Sequence, residues 1–178
     1  MKRRWPGLLA AFVIGLILLP ALLVLLAVMG RLPSDSLAAP PGLENELGEA
    51  ALEASLERRA AGLQNPVAAG DEAALTAGMD LYRDNCAGCH GGARGPSAWG
   101  STGFYPRVPQ FWQQHHEHIT PAEAFVAVRD GIRYSGMGAW RGTLSEPEIW
   151  QVANFVSRIH GLPPRVDAAW RAGPAAAE

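Results

Sequence analysis

The sequence predicts an all-α protein: a small helical bundle preceded by one N-terminal transmembrane helix and a helical spacer. Three observations predict it. Residues 7–29 are uncharged and almost wholly apolar. Two later stretches open with S/T-x-x-E capping boxes and continue with apolar residues at helical spacing. No segment alternates convincingly at period two, so no sheet of consequence is expected.

The 178 residues suffice for one small domain and an additional segment. As a helix, Gly7–Met29 would be roughly 35 Å long, enough to cross a bilayer. Lys2, Arg3 and Arg4 precede it and only Arg31 comes closely after it. The positive-inside rule then puts the N-terminus in the cytoplasm and everything after residue 30 outside. Pro20 falls mid-span, where membrane helices tolerate a kink. A cleaved signal peptide is the competing reading, with Ser36-Leu37-Ala38 as a weak cleavage site. Its apolar region would be shorter, about 7 to 15 residues. Either reading exports the rest of the chain.

Residues 1–30 are thus the expected anchor and 31–70 the spacer. Pro33, Pro40, Pro41 and Gly42 open the spacer with turn chemistry. Leu43–Leu63 is rich in Ala, Leu and Glu and reads as a helix. Leu43, Leu47, Ala50, Ala51 and Ala54 give it an apolar face. Its simplest role is a semi-rigid stalk; a partner-binding helix is the other. The domain proper is expected over 71–162, with a C-terminal tail over 163–178 that reads as disordered from Asp167 on. Within the domain, one helix runs from about Asp71 to Asn85. A second starts at Thr120-Pro121-Ala122-Glu123 and closes at Gly131. A third starts at Ser145-Glu146-Pro147-Glu148 and reaches about Ile159, with Gly161 and Pro163-Pro164 as the stop.

The densest chemistry is Cys86-Ala87-Gly88-Cys89-His90, a C-x-x-C-H sequence holding the only two cysteines of the chain. Two thiols on one side of a helical turn can form thioethers with the two vinyl groups of a haem, and His90 can ligate the iron. A redox dithiol would fit a βαβ pattern, which is missing here. A zinc site would need further ligands, which His115, His116 and His118 could in principle supply. The default for those three histidines is a solvated loop; a rival axial ligand or an accessory metal site is the alternative.

An electron-carrying haem iron has a second protein ligand. Met1 and Met29 belong to the membrane segment, and Met79 shares a helix with Cys86. Met137 remains, flanked by Gly136 and Gly138, which let a backbone pass close to a flat ring. The alternative for Met137 is a core methionine beside an open iron. A thioether ligand favours ferrous iron and raises the potential relative to a second imidazole. Trp99, Tyr105, Arg107 and Trp140 are candidate donors to the haem propionates, and Phe104–Pro109 reads as an extended loop lining the pocket.

From about Ala77 to Ile159 the chain resembles the membrane-anchored, monohaem class I c-type cytochromes. The resemblance lies in Gly78 and Tyr82, the Cys86–Gly91 motif, Gly131-Ile132-Arg133-Tyr134 before Gly136-Met137, and Leu144-Ser145 leading into Trp150–Phe155. It implies a small all-α bundle around one covalent haem c, with the first and last helices crossing. It also implies that Gly78 admits the last helix, with Tyr82, Trp150 and Phe155 packed there. The family often has a proline after the motif whose carbonyl holds the histidine ring; Pro96 is the candidate. Gly138 stands where many relatives carry proline.

The expected function is one-electron transfer by a His90/Met137-ligated haem held by Cys86 and Cys89. The protein would be tethered to a bacterial inner membrane, with the haem domain in the periplasm. It would relay electrons from a quinol-oxidising complex or dehydrogenase to a terminal oxidase or reductase. No residue set suggests catalysis on a substrate. A haem subunit of a larger respiratory or photosynthetic complex is the alternative, and a haem enzyme or gas sensor with an open iron is a third reading. Net charge is −2, which makes no case for nucleic acid. From Asp71 onward nine arginines face eleven acidic residues and no lysine, so any basic docking surface would be built from arginine.

Overall fold

The computed structural model describes residues 5–68, 70–112 and 119–173. His115, His116 and His118 lie outside the described residues. The first compact unit, Met1–Asp35, contains one helix, α1 (Trp5–Val28). Its stretch Gly7–Val28 is long and apolar enough to cross a membrane. Pro20 sits inside it.

The second unit, Ser36–Glu178, holds the other helices: α2 (Gly42–Ala60), α3 (Glu72–Asn85), α4 (Ala87–His90), α5 (Pro121–Asp130), α6 (Glu146–Ser157) and α7 (Pro164–Ala172). Among the described residues there is no strand, only an isolated bridge between Gly92 and Gly95. The three helices expected in the domain therefore form, each within two residues of its expected ends. Thr120 caps α5 reciprocally: its N–H donates to Glu123 Oε2 at 2.8 Å and Glu123 N–H returns a bond to Thr120 Oγ1 at 3.3 Å. At α6, the Glu148 carboxylate accepts the Ser145 N–H at 2.7 Å and the Ser145 hydroxyl at 2.6 Å.

α3 crosses α6 where their backbones nearly touch. A Cβ on Gly78 would lie 2.1 Å from Gln151 O, so only glycine fits. Around the crossing, Leu75, Tyr82, Ile149, Val152 and Phe155 are buried. Tyr82 meets Phe155 with ring centroids 5.5 Å apart. α5 packs on the other side of α6, with the Phe125 and Trp150 rings stacked at 4.0 Å. The packing expected of Gly78, Tyr82 and Phe155 is present, whereas Trp150 stacks on Phe125 of α5.

Two expectations need correction. Asp167–Ala172 is not disordered but helical. Pro163-Pro164 does stop the preceding chain, but a proline at a first helical turn also starts a helix. Val166 and Trp170, one turn apart on α7, are both buried. Trp170 packs edge-on against Tyr82 at 5.6 Å and Phe155 at 5.2 Å. Arg83 donates to Ala169 O at 2.6 Å and Trp170 O at 3.3 Å, which satisfies the end of α7.

The second correction concerns the spacer. α2 is not a free stalk, and its docked face is not the one expected. Leu43, Leu47, Ala50, Ala51 and Ala54 are exposed. Leu56 and Ala60 are buried, and Leu52 packs against the same core. Two helical stripes coexist in this Ala- and Leu-rich sequence, and α5 selects the one near its C-terminus. Asp130, at the end of α5, fixes the choice: it is paired with Arg59 of α2, with Arg129 at 2.8 Å and with Arg141 at 3.3 Å. Beyond α2, the side chains of Asn65 and Asn154 exchange hydrogen bonds of 2.8 and 3.0 Å.

The hydrogen bond from Arg129, with Arg59 adding to it, holds the Asp130 carboxyl down at about 2, against an ordinary value of 3.8. The carboxylate is only 15% exposed. A group whose pKa is depressed by folding stabilises the fold above its unfolded pKa, and loses that contribution as pH falls through the folded one. Asp130 should therefore contribute about 2 kcal/mol that is constant above roughly pH 5 and disappears between about pH 4 and 2. Denaturant unfolding of wild type and Asp130→Asn at pH 6 and pH 2.5 checks it. The difference between the two proteins should be large at pH 6 and fall to about a third of that at pH 2.5.

Candidate functional site

α3 continues almost directly into α4. Cys86 N–H donates to Tyr82 O at 2.8 Å, and His90 N–H to Cys86 O at 2.9 Å. Cys86, Cys89 and His90 are thus carried on one turn at the end of a helix whose Leu75, Gly78, Met79 and Tyr82 are buried. Both cysteines are unbridged thiols and half-buried. Burial, with Cys89 nearby as a lesser cause, pushes the Cys86 thiol up to about 12. Gly91 ends the turn at φ 81°, where a Cβ would come within 2.8 Å of Gly95 O. The buried Tyr82 hydroxyl donates to Gly91 O at 2.8 Å and ties the turn back to α3. Burial raises the Tyr82 phenol above its ordinary value, so it stays a neutral donor.

His90 Nδ1 lies 2.9 Å from Pro109 O. A carbonyl only accepts, so Nδ1 carries the hydrogen and the lone pair resides on Nε2. That is the tautomer a metal-binding imidazole needs, with its outer nitrogen anchored. The carbonyl expected from Pro96 is therefore supplied by Pro109. Pro96 instead packs under the motif, its Cα 3.1 Å from where a Gly91 Cβ would be. The loop between 91 and 109 has to travel out and return before a carbonyl can face the ring, which the longer path to Pro109 allows and the short one to Pro96 does not. Val108-Pro109 was legible only as extended chain.

Met137 sits half-buried against the core in the loop after α5. Gly131 turns the chain at φ 68°, and Ile132 N–H donates to Met137 O at 3.0 Å. Ser135 Oγ donates to Ile132 O at 2.8 Å and accepts from Met137 N–H at 3.1 Å. Trp140 N–H donates to Val128 O at 3.1 Å, which folds the loop back onto α5. The loop is thus held by its own hydrogen bonds, despite glycine where a proline is common.

A second loop, 97–107, meets the first: a Cβ on Gly136 would lie 2.5 Å from the Phe104 ring. Phe104 also packs edge-on against Trp99 at 4.4 Å. Two of the propionate donors expected in this loop have other partners. Arg107 donates to Ser36 O, Leu37 O, Thr102 O and Phe104 O at 2.6 to 3.1 Å. The Tyr105 hydroxyl is bonded to Glu44. Trp140 is half-buried against the core and Trp99 is exposed.

The family described as "Cytochrome C oxidase, cbb3-type, subunit III" matches residues 73–156, a little under half of the chain. These residues run from the start of α3 to the end of α6, through both loops. They are a c-type cytochrome domain. No curated protein and no solved structure matches the chain. The cytochrome family implies covalent haem c. The donor set fits that group: two unbridged thiols on one turn, an imidazole presented as its Nδ1–H tautomer, and a thioether in a self-supported loop. Two cysteines suffice for one such attachment.

The cytochrome turn is also packed tightly from outside. A Cβ on Gly100 would lie 1.9 Å from Cys89 O. Gly100→Ala must displace Cys89 or the 97–103 loop, and it should cut covalent haem incorporation several-fold. Gly95→Ala, which meets nothing within 4 Å, should leave it unchanged. Mass spectrometry of the denatured proteins, or haem staining of denaturing gels, reads the difference.

Proposed function

We propose that this protein is a membrane-tethered one-electron carrier whose haem is bonded to Cys86 and Cys89 and ligated by His90 and Met137. The observation that carries the reading is the 2.9 Å contact between His90 Nδ1 and Pro109 O. It fixes the one histidine adjoining both thiols in the ligating tautomer. When bound, the haem supplies a one-electron iron couple. The chain's own residues decide how that couple behaves. Pro109 O, by accepting the Nδ1 hydrogen, makes His90 a better electron donor. Met137, a neutral thioether, favours the reduced state. The hydrogen bonds from Ile132 to Met137 O and from Met137 to Ser135 Oγ keep the thioether loop in one geometry between oxidation states.

α1, with Lys2, Arg3 and Arg4 before it, supports an anchor in a bacterial cytoplasmic membrane whose N-terminus is cytoplasmic. The cytochrome domain is then periplasmic. Its donor is a quinol-oxidising complex or a dehydrogenase of that membrane, and its acceptor a terminal oxidase or reductase.

Met137→Ala should abolish the thioether-to-iron charge-transfer band of the ferric protein, lower the reduction potential and open the ferrous protein to carbon monoxide. An unchanged spectrum would remove Met137 from the iron.

The description of the matching family, an oxidase subunit III, favours a second reading, in which the chain is a fixed haem subunit of an oxidase. Purification from native membranes in mild detergent separates the two. A carrier should come away alone, whereas a subunit should bring stoichiometric oxidase partners with it.

A further inference from the structure

Pro109, Gln110 and Phe111 enclose His90 with three successive residues. Pro109 accepts the Nδ1 hydrogen. Phe111 N–H donates to His90 O at 3.1 Å. The Phe111 ring stacks on the imidazole, with centroids 4.9 Å apart and planes 12° from parallel. Between them the Gln110 side chain is turned inward and only 7% exposed. Its Nε2 donates to Cys89 O at 2.9 Å and Val108 O at 3.0 Å, and its Oε1 accepts Ser97 N–H at 2.8 Å. One amide therefore joins three pieces of backbone: the thiol-bearing turn, the extended segment that ends in Pro109, and the start of the 97–107 loop.

The geometry points to Gln110 and Phe111 as positioning residues that fix the distance of Pro109 O from His90 and the plane of the imidazole, and thereby set the reduction potential. The inference rests on His90 being an iron ligand. Its physical basis is the direction of each bond. Gln110 holds Cys89 O and Val108 O to the same nitrogen, so the residue before Pro109 and the residue before His90 cannot separate. Hydrogen bonding of the outer nitrogen strengthens a ligating imidazole as a donor, which favours ferric iron. Loosening that bond should favour the ferrous state. The stacked Phe111 ring opposes rotation of the imidazole about its axis.

The test uses the full-length holoprotein. Gln110→Met keeps length and approximate volume but removes every one of these hydrogen bonds. It should raise the potential, by up to a tenfold change in the ferrous-to-ferric ratio, which is about 59 mV for one electron. It should also shift the g values of the ferric protein, which report ligand orientation. Ser97→Ala is the comparison. It removes a buried hydroxyl that donates to Gly88 O at 2.5 Å and accepts from Gly100 N–H at 2.9 Å, without touching the Gln110 amide. Ser97→Ala should lower the thermal midpoint and leave potential and g values in place. If Gln110→Met moves the potential no further than Ser97→Ala does, Gln110 is only structural and the inference fails. Should Gln110→Met yield no holoprotein, Phe111→Leu carries the test. It keeps the backbone bond to His90 O and removes the stack, and unchanged g values and potential would overturn the inference. A wild-type protein without a low-spin, histidine-ligated spectrum would instead overturn the ligand reading beneath it.

Discussion

The backbone contact between Gly78 and Gln151 governs where everything else in the domain can go. Helices ordinarily pack with side chains between them, about 8–10 Å axis to axis. With no side chain at Gly78, α3 and α6 come together until peptide groups meet. That brings Tyr82, one turn further along α3, fully into the core against Phe155 and Trp170. From there its hydroxyl reaches Gly91 O, on the far side of the Cys86–His90 turn. The turn is therefore positioned from both ends: by helical continuity at Cys86 and by a buried phenol at Gly91. A side chain at position 78 would push α6 outward and take the second support away.

A domain of this size has little apolar interior of its own, and the chain adds to it from both directions. α2 covers α5 with Leu52, Leu56 and Ala60. α7 brings Val166 and Trp170 to the Tyr82–Phe155 cluster. Each addition is joined to the central helices by polar contacts: Asp130 with Arg59 for α2, and Arg83 with carbonyls near the end of α7. Burial of apolar side chains contributes most of the attraction, and these polar contacts determine which face docks. This is why α2 uses its Leu52–Leu56–Ala60 stripe, although its more N-terminal stripe is as apolar.

Range decided how much of the molecule was legible in its sequence. Capping boxes, the Cys86–His90 turn and the apolar span are local signals, and each element they announce is present. Of the candidate site, the Cys86–His90 turn was legible and the contacts that hold it were not. Pro109, Gln110 and Phe111 act on His90 from some twenty residues away, across a loop without periodicity. Nothing in Val-Pro-Gln-Phe distinguishes a clamp on a histidine ring from ordinary extended chain. The docking of α2 and α7 was illegible for a related reason. An Ala- and Leu-rich helix carries more than one apolar stripe, and a double proline can close one helix or open the next. Only the partner surface decides, and a partner surface is a property of the folded chain.

The arginines show how charge is used in this domain. With nine arginines and no lysine after residue 70, any basic docking surface would be made of guanidinium groups. The side-chain contacts give four of the nine a structural task. Arg107 binds four backbone carbonyls from two segments. Arg83 binds two carbonyls and lies over the Trp170 ring at 5.6 Å. Arg129 and Arg141 converge on Asp130. Each of these tasks needs several donors in a fixed plane, or a flat cation that can lie on a ring. A lysine ammonium, with one nitrogen on a flexible stem, meets neither need. For these four the choice of arginine over lysine is accounted for by the contacts they make.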